Sequence, residues 1–295
     1  MKMHKQITSL QNPLVKQAVQ IKNKARERKA RQLFLAEGLR EVGLALQNGF
    51  AASCLFYDPS LTGGSIIQSL VKKAERKPES IIAVSTAVMG KIAYRSSVTN
   101  VVGLFKNPIS VRSPQSTVHS PQSAVWSEAE IPNLLRGGNP LYLVLEGIEK
   151  PGNLGAILRT ADAAGADGIF LCEPKFDLYN PNAIRASLGA IFTLPIFEMP
   201  SEEAAAFFKN NNIPVYATWL EAAKPLYECD LKGAAALVLG AEATGISPFW
   251  LGQADQRIII PMSGQVDSLN VSTSAAIVLF EAVRQRNQSL RETRV

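Results

Sequence analysis

The sequence predicts a two-domain α/β protein. Three observations lead there. The chain has 295 residues, about two domains at roughly 150 residues each. Strand and helix patterns alternate twice along it, and a Pro- and Ser-rich stretch separates the two runs. The expected division is a small α/β domain over 1–106, a linker over 107–139 and a second α/β domain over 140–295. At 46% hydrophobic and 19% charged residues, the chain can bury a sizeable core.

In the first run, Asn12-Pro13 opens a helix to about Lys22, with proline in its first turn. A second helical stretch reaches about Arg31. Leu33–Glu37 reads as a strand, and Leu39–Gln47 as a helix with Gly49 beyond its end. Strands follow at Ala52–Tyr57, Ile81–Val84 and Val101–Phe105, with a helix at Ser65–Arg76. The linker holds Pro108, Pro114, Pro121 and Pro132, with Pro140 just after it, and the tetrapeptide SPQS at Ser113–Ser116 and Ser120–Ser123. It shows little drive to pack, and the pair reads as chance duplication in a loop.

In the second run, Leu141–Leu145 is an apolar stretch typical of a buried parallel strand. A helix over 153–164, a strand at Gly168–Leu171 and a helix at Asn182–Ala190 follow. Strands at Pro195–Phe197, Val215–Thr218, Ala235–Leu239 and Arg257–Ile260 alternate with helices, and a helix from Val271 to about Arg286 closes the chain. Such repeats build a parallel sheet covered on both faces.

Composition excludes several classes. No window approaches the roughly 18 consecutive apolar residues of a membrane span. Met1–Ser9 is polar and basic, so no secretory leader is expected. Cys54, Cys172 and Cys229 are odd in number and far apart, which fits a reducing cytoplasm rather than a disulfide framework. With only His4 and His119, no metal site is expected and a Ser-His-Asp triad is disfavoured.

Charge is uneven. The net charge is +6, yet residues 1–50 hold ten basic residues against three acidic ones, so the remainder sums to −1. The surplus centres on Lys22, Lys24, Arg26, Arg28, Lys29 and Arg31. Such a run fits a phosphate-binding surface, since clustered cations neutralise phosphates and release counterions. It fits a solvated helix face equally.

Three loops of the second domain follow apolar strands. The first runs from Glu146 through Lys150-Pro-Gly-Asn153-Leu-Gly155 to Arg159-Thr160. Asn153 is placed to cap the helix it opens. Arg159, near the helix start, can grip phosphate or form a surface ion pair. The loop is neither GxGxxG nor GxxxxGK[ST], so a dinucleotide fingerprint and a P-loop are absent. The second, Gly240-Ala-Glu242-Ala-Thr-Gly245, puts a carboxylate at a strand tip, where α/β proteins bind ligands. Glu242 is a site residue or a helix-terminus carboxylate. The third runs from Ile260-Pro261-Met262-Ser-Gly264 to Ser268-Leu269-Asn270-Val-Ser272, with Ser268 or Asn270 available to cap the closing helix. Three such loops can make one pocket.

Together these loops resemble the SpoU branch of the SPOUT class of S-adenosylmethionine-dependent RNA 2′-O-ribose methyltransferases. The matching patterns are Asn-x-Gly-x-x-x-Arg-Thr, Gly-x-Glu-x-x-Gly and Ile-Pro-Met-x-Gly…Ser-Leu-Asn-Val-Ser, in the family's order over about 140–286. More loosely, Asn12-Pro13-Leu-Val-Lys and Phe34-Leu-Ala-Glu37-Gly38 resemble the opening of the substrate-binding domain common in ribosomal RNA members. That domain has the small α/β/α fold of certain RNA-binding ribosomal proteins.

The resemblance implies an α/β trefoil knot in the second domain, a cytoplasmic homodimer and S-adenosylmethionine as cofactor. It places cofactor-binding positions at Gly240, Ile260 and Leu269, with Leu239, Pro261, Met262 and Gly264 shaping the pocket. It assigns Arg159 to activating the ribose hydroxyl, with Asn153, Glu242 and Asn270 orienting the site and Ser268 and Ser272 as lesser candidates. Arginine is an awkward base because it stays protonated in proteins. Either Arg159 accepts the proton transiently, or it fixes phosphate and hydroxyl while phosphate or water takes the proton. Many members carry Asp-Pro where this chain has Lys150-Pro151, which puts a positive charge there. The substrate implied is ribosomal RNA, large-subunit RNA first. A transfer-RNA methyltransferase and a non-catalytic RNA-binding or ribosome-assembly protein on the same fold are the alternatives.

Overall fold

A computed structural model describes residues 5–73, 80–94, 99–108, 138–221 and 223–292. The duplicated SPQS lies outside them, as do the rest of the linker over 109–137 and the expected helical residues beyond Lys73. The chain divides into two compact units. Residues up to 108 join Tyr179–Thr193 in the first, and the remaining described residues form the second.

The first unit is built on a five-stranded sheet in the order β1-β4-β3-β5-β2. Its strands are β1 (Lys5–Ile7), β2 (Leu33–Glu37), β3 (Ala52–Tyr57), β4 (Ser80–Val84) and β5 (Val101–Lys106). β4 runs parallel to β1 and β3, whereas β5 is antiparallel to β2 and β3. Alternation sends Leu35, Phe56, Val102 and Leu104 to one face, where they meet α1 (Pro13–Asn23) and α5 (Thr86–Ile92). α3 (Leu39–Gln47) packs on β2, on β5 and on α4 (Gly64–Lys73). Asn12 caps α1, its side chain accepting from the Leu14 N–H at 2.9 Å. A short α2 (Ala25–Arg31) follows.

The sequence pattern missed β1 and α5. A three-residue strand carries no readable period, and it exists through its pairing with β4. The helix expected at Asn182–Ala190 is shorter: α7 spans Pro181–Ser187. It stops where Leu188 and Gly189 take positive φ, and a 3₁₀ turn covers Ala190–Phe192. This segment packs inside the first unit, with Phe34 stacked on Tyr179 at 4.3 Å.

The second unit carries a seven-stranded, wholly parallel sheet in the order β10-β12-β9-β11-β6-β7-β8. Its strands are β6 (Leu141–Glu146), β7 (Gly168–Cys172), β8 (Ile196–Glu198), β9 (Val215–Thr218), β10 (Lys224–Pro225), β11 (Ala235–Leu239) and β12 (Gln256–Ile259). Buried Tyr142, Val144, Phe170, Phe197 and Val238 face α8 (Ser201–Asn210) and α9 (Pro248–Gln253). α6 (Pro151–Ala164) packs on α10 (Val271–Glu292), which also lies on β11. Arg286 anchors α10 by donating to the carbonyls of Leu231 (3.1 Å), Asn139 (2.9 Å) and Gly233 (2.6 Å). No described helix is long and apolar enough to cross a membrane. Because all seven strands run the same way, the loops after β6, β9, β11 and β12 leave from one edge of the sheet.

Candidate functional site

At that edge lies a cavity of about 590 Å³. Leu239, Gly240, Ile260, Met262 and Leu269, all expected to bind a cofactor, line it; Pro261 and Gly264 do not border it. Thr218, Trp219 and Leu220 from the end of β9 form a further wall that the sequence reading missed. β9 sits between β11 and β12, a neighbour relation that no short motif encodes.

The Gly240 loop is shaped by close backbone approach. Ala241 and Gly245 exchange N–H···O bonds of 3.1 and 2.9 Å, closing a tight turn with Gly245 at φ +67°. A Cβ on Gly240 would sit 2.1 Å from the Gly245 carbonyl, so only glycine fits there.

The polar residues expected to act form one chain of hydrogen bonds. The Asn153 amide donates to Glu242, which also accepts from the Glu149 N–H at 3.4 Å. The Asn270 amide donates to Asn153 Oδ1 at 3.4 Å. Asn270 Oδ1 accepts from the Ser272 N–H at 2.9 Å and its hydroxyl at 2.6 Å, which caps α10. Three loops distant in sequence thus share one side-chain network.

The Glu242 charge sits beside the opening turn of α6, where a negative group is favoured. Two expectations need correction. Asn153 is not a helix cap: the helix starts at Pro151 and Lys150 holds the cap position without a side-chain bond. The Asn153 side chain is thereby released to reach Glu242. Arg159 is not near the helix start but in the middle of α6. It is exposed, and no hydrogen bond or ion pair joins it to a described residue. Lys150, Glu242, Asp267, Ser268 and Asn270 border the cavity with polar or charged groups.

The walls offer a ligand both apolar and polar surface. Leu239, Ile260 and Leu269 supply apolar surface, while from Ile260 to Asn270 no backbone N–H donates to a described backbone group. Such free donors can bind polar ligand edges. Thiol chemistry is remote from this, because burial pushes Cys54 and Cys172 up to about 12.

The basic run divides in two. Lys22 donates to the carbonyls of Lys91 (2.8 Å) and Ala93 (2.9 Å). Burial and then Lys91 hold its ammonium below the usual lysine value. Arg28 is 6% exposed and donates to the Ile21 carbonyl at 2.9 Å and the Lys22 carbonyl at 3.2 Å. These two cations are therefore spent on packing rather than displayed, contrary to the sequence expectation. Lys24, Arg26, Lys29 and Arg31 are exposed, and Arg31 pairs with Glu27 at 3.0 Å.

The parallel sheet, the strand-edge cavity and the network drawn from three loops define a two-unit α/β protein with a candidate binding cavity in its second unit. The model of the SpoU rRNA methylase family matches residues 140–280, and that of the MRM3-like substrate-binding domain matches residues 12–103. A relative from Haemophilus influenzae, named 23S rRNA (guanosine-2′-O-)-methyltransferase RlmB, is 43% identical over 50% of this chain and 61% of its own length. A solved structure titled RNA 2′-O ribose methyltransferase is 33% identical, covers 96% of this chain and 99% of its own, and superposes with a TM-score of 0.74. A second, titled AdoMet-bound rRNA methyltransferase from Sinorhizobium meliloti, is 29% identical over 95% of this chain and 97% of its own, with a TM-score of 0.76. The chain belongs to the SpoU rRNA methylase family.

Proposed function

We propose that this protein transfers a methyl group from S-adenosylmethionine to a ribose 2′-hydroxyl of RNA, and that large-subunit ribosomal RNA is the substrate. The observation that carries this reading is the Asn153–Glu242–Asn270 network at the rim of the cavity. Bound S-adenosylmethionine supplies a methyl group already activated on a sulfonium. The protein must then place the hydroxyl in line, hold the adjoining phosphate and let the proton leave.

Glu242 fixes the Asn153 amide, and Asn153 in turn receives Asn270, so the rim keeps one geometry without reorganisation. Leu239, Gly240, Ile260 and Leu269 would hold the cofactor, with Met262 closing the cavity beside them. The exposed guanidinium of Arg159 suits a clamp on phosphate and hydroxyl. Exposed Lys150, carried on the Glu149–Asn153 turn that Glu242 pins, adds a second cation for RNA phosphate. Lys24, Arg26, Lys29 and Arg31 form a further phosphate-binding surface in the first unit. The reading includes a homodimer in the cytoplasm. The relative's name, a 23S rRNA 2′-O-methyltransferase, and the AdoMet-bound neighbour support the reaction and its cofactor.

The test incubates the protein with labelled S-adenosylmethionine and unmodified large-subunit RNA. Label in one fragment, resistant to alkali at one linkage, is expected. Absence of label from both naked RNA and assembled subunits, with the cofactor shown to bind, would overturn the assignment.

A further inference from the structure

The wall supplied by β9 lies outside the three family-like motifs. Its position is nonetheless firmly set. The Thr218 hydroxyl donates to the Val238 carbonyl at 3.0 Å, and the Trp219 N–H donates to the Ile258 carbonyl at 2.9 Å. The end of β9 is thereby tied to both neighbouring strands, between the Gly240 loop and the Ile260 loop. From there the Trp219 ring borders the cavity, with its Cζ3 3.8 Å from the point where a Cβ on Gly245 would stand. A side chain at position 245 would just reach the ring, so glycine there leaves the indole uncrowded. Beside it Leu220, 58% exposed, lines the same cavity. The half-buried indole and the exposed leucine leave apolar surface facing the cavity. Aromatic side chains in such places gain most by stacking on a flat heteroaromatic ring.

We propose that Trp219 stacks on the purine ring of the nucleoside cofactor, with Gly245 leaving the indole uncrowded and Leu220 closing over the ring edge. The inference rests on the proposed function and adds the residue that orients the cofactor's flat end. Stacking is indifferent to charge at the sulfur. It therefore contributes equally to S-adenosylmethionine and to its neutral product S-adenosylhomocysteine, whereas a cation–π contact would favour the sulfonium alone.

The experiment titrates the full-length protein with each compound, by calorimetry and by tryptophan emission in parallel. Trp250 is fully buried, its indole N–H donating to Ser201 at 2.9 Å, so it serves as an internal constant. Emission is expected to change with the calorimetric midpoint in the wild type, and Trp219→Phe should abolish most of that change while binding within about threefold of wild type. Trp219→Ala should weaken both compounds alike, by about five- to a hundredfold. Thermal melts of both variants exclude unfolding as the cause. If Trp219→Ala binds both as wild type, or loses affinity for the sulfonium compound alone, the stacking role is wrong while the proposed function stands. If the wild type binds neither compound, the proposed function and this inference fall together.

Discussion

A methyl group at Gly240 meets backbone, not a yielding side chain, since the nearest atoms are the Gly245 carbonyl group and the Ile246 nitrogen. Gly240→Ala must therefore open the turn that frames the cavity. The expected result is a lowered melting temperature together with lost cofactor binding, both readable on one purified variant. Lys150 behaves oppositely. It is exposed and its side chain makes no hydrogen bond or ion pair with a described residue, so Lys150→Gln should leave the melt unchanged. If it holds a phosphate, the slope of log affinity for RNA against log salt should fall by about one unit, with cofactor affinity unaltered. An unchanged slope would remove Lys150 from the RNA surface. At this scale the sequence pointed to most of the residues that the structure gathers at the cavity and its hydrogen-bond network, because they sit in loops that follow apolar parallel strands. It misjudged Asn153, because the capping rule is local. The partner that claims its amide, Glu242, lies on another strand's loop.

The junction of α1 and α2 shows how one basic run serves two purposes. Arg28 folds back on the last turn of α1, satisfying carbonyls that a helix end leaves without partners. Lys22 ties the same region to the end of α5. Arg28→Ala should thus cost about 2 kcal/mol of unfolding free energy, as for a lost hydrogen bond to a charged group. Lys29→Ala should stay within about 0.5 kcal/mol. RNA affinity should show the reverse order, falling with Lys29→Ala at unchanged stability. Denaturant titrations and RNA binding on the two variants check this directly. Charge counting found the run but not the division within it, because burial depends on where α2 turns back. Long periodic elements such as α1, α3 and α10 were legible from apolar spacing and caps. Short ones were not: β1 is three residues long and owes its existence to pairing with β4, far along the chain.

For the whole molecule, two alternating α/β runs were enough to read the fold class, and the parallel sheet of the second unit follows from its buried apolar strands. The cavity was legible only in part. Its motif-bearing loops were apparent from sequence, yet the wall from β9 depends on strand order, which places β9 between β11 and β12. The proposed ribose methylation centre at this cavity edge depends on Arg159. The most direct measurement compares wild type and Arg159→Ala for methyl transfer to large-subunit RNA, with RNA and cofactor binding followed in the same preparations. A loss of at least about a hundredfold in kcat is expected, with both affinities within about threefold of wild type. Transfer by Arg159→Ala at the wild-type rate would contradict it.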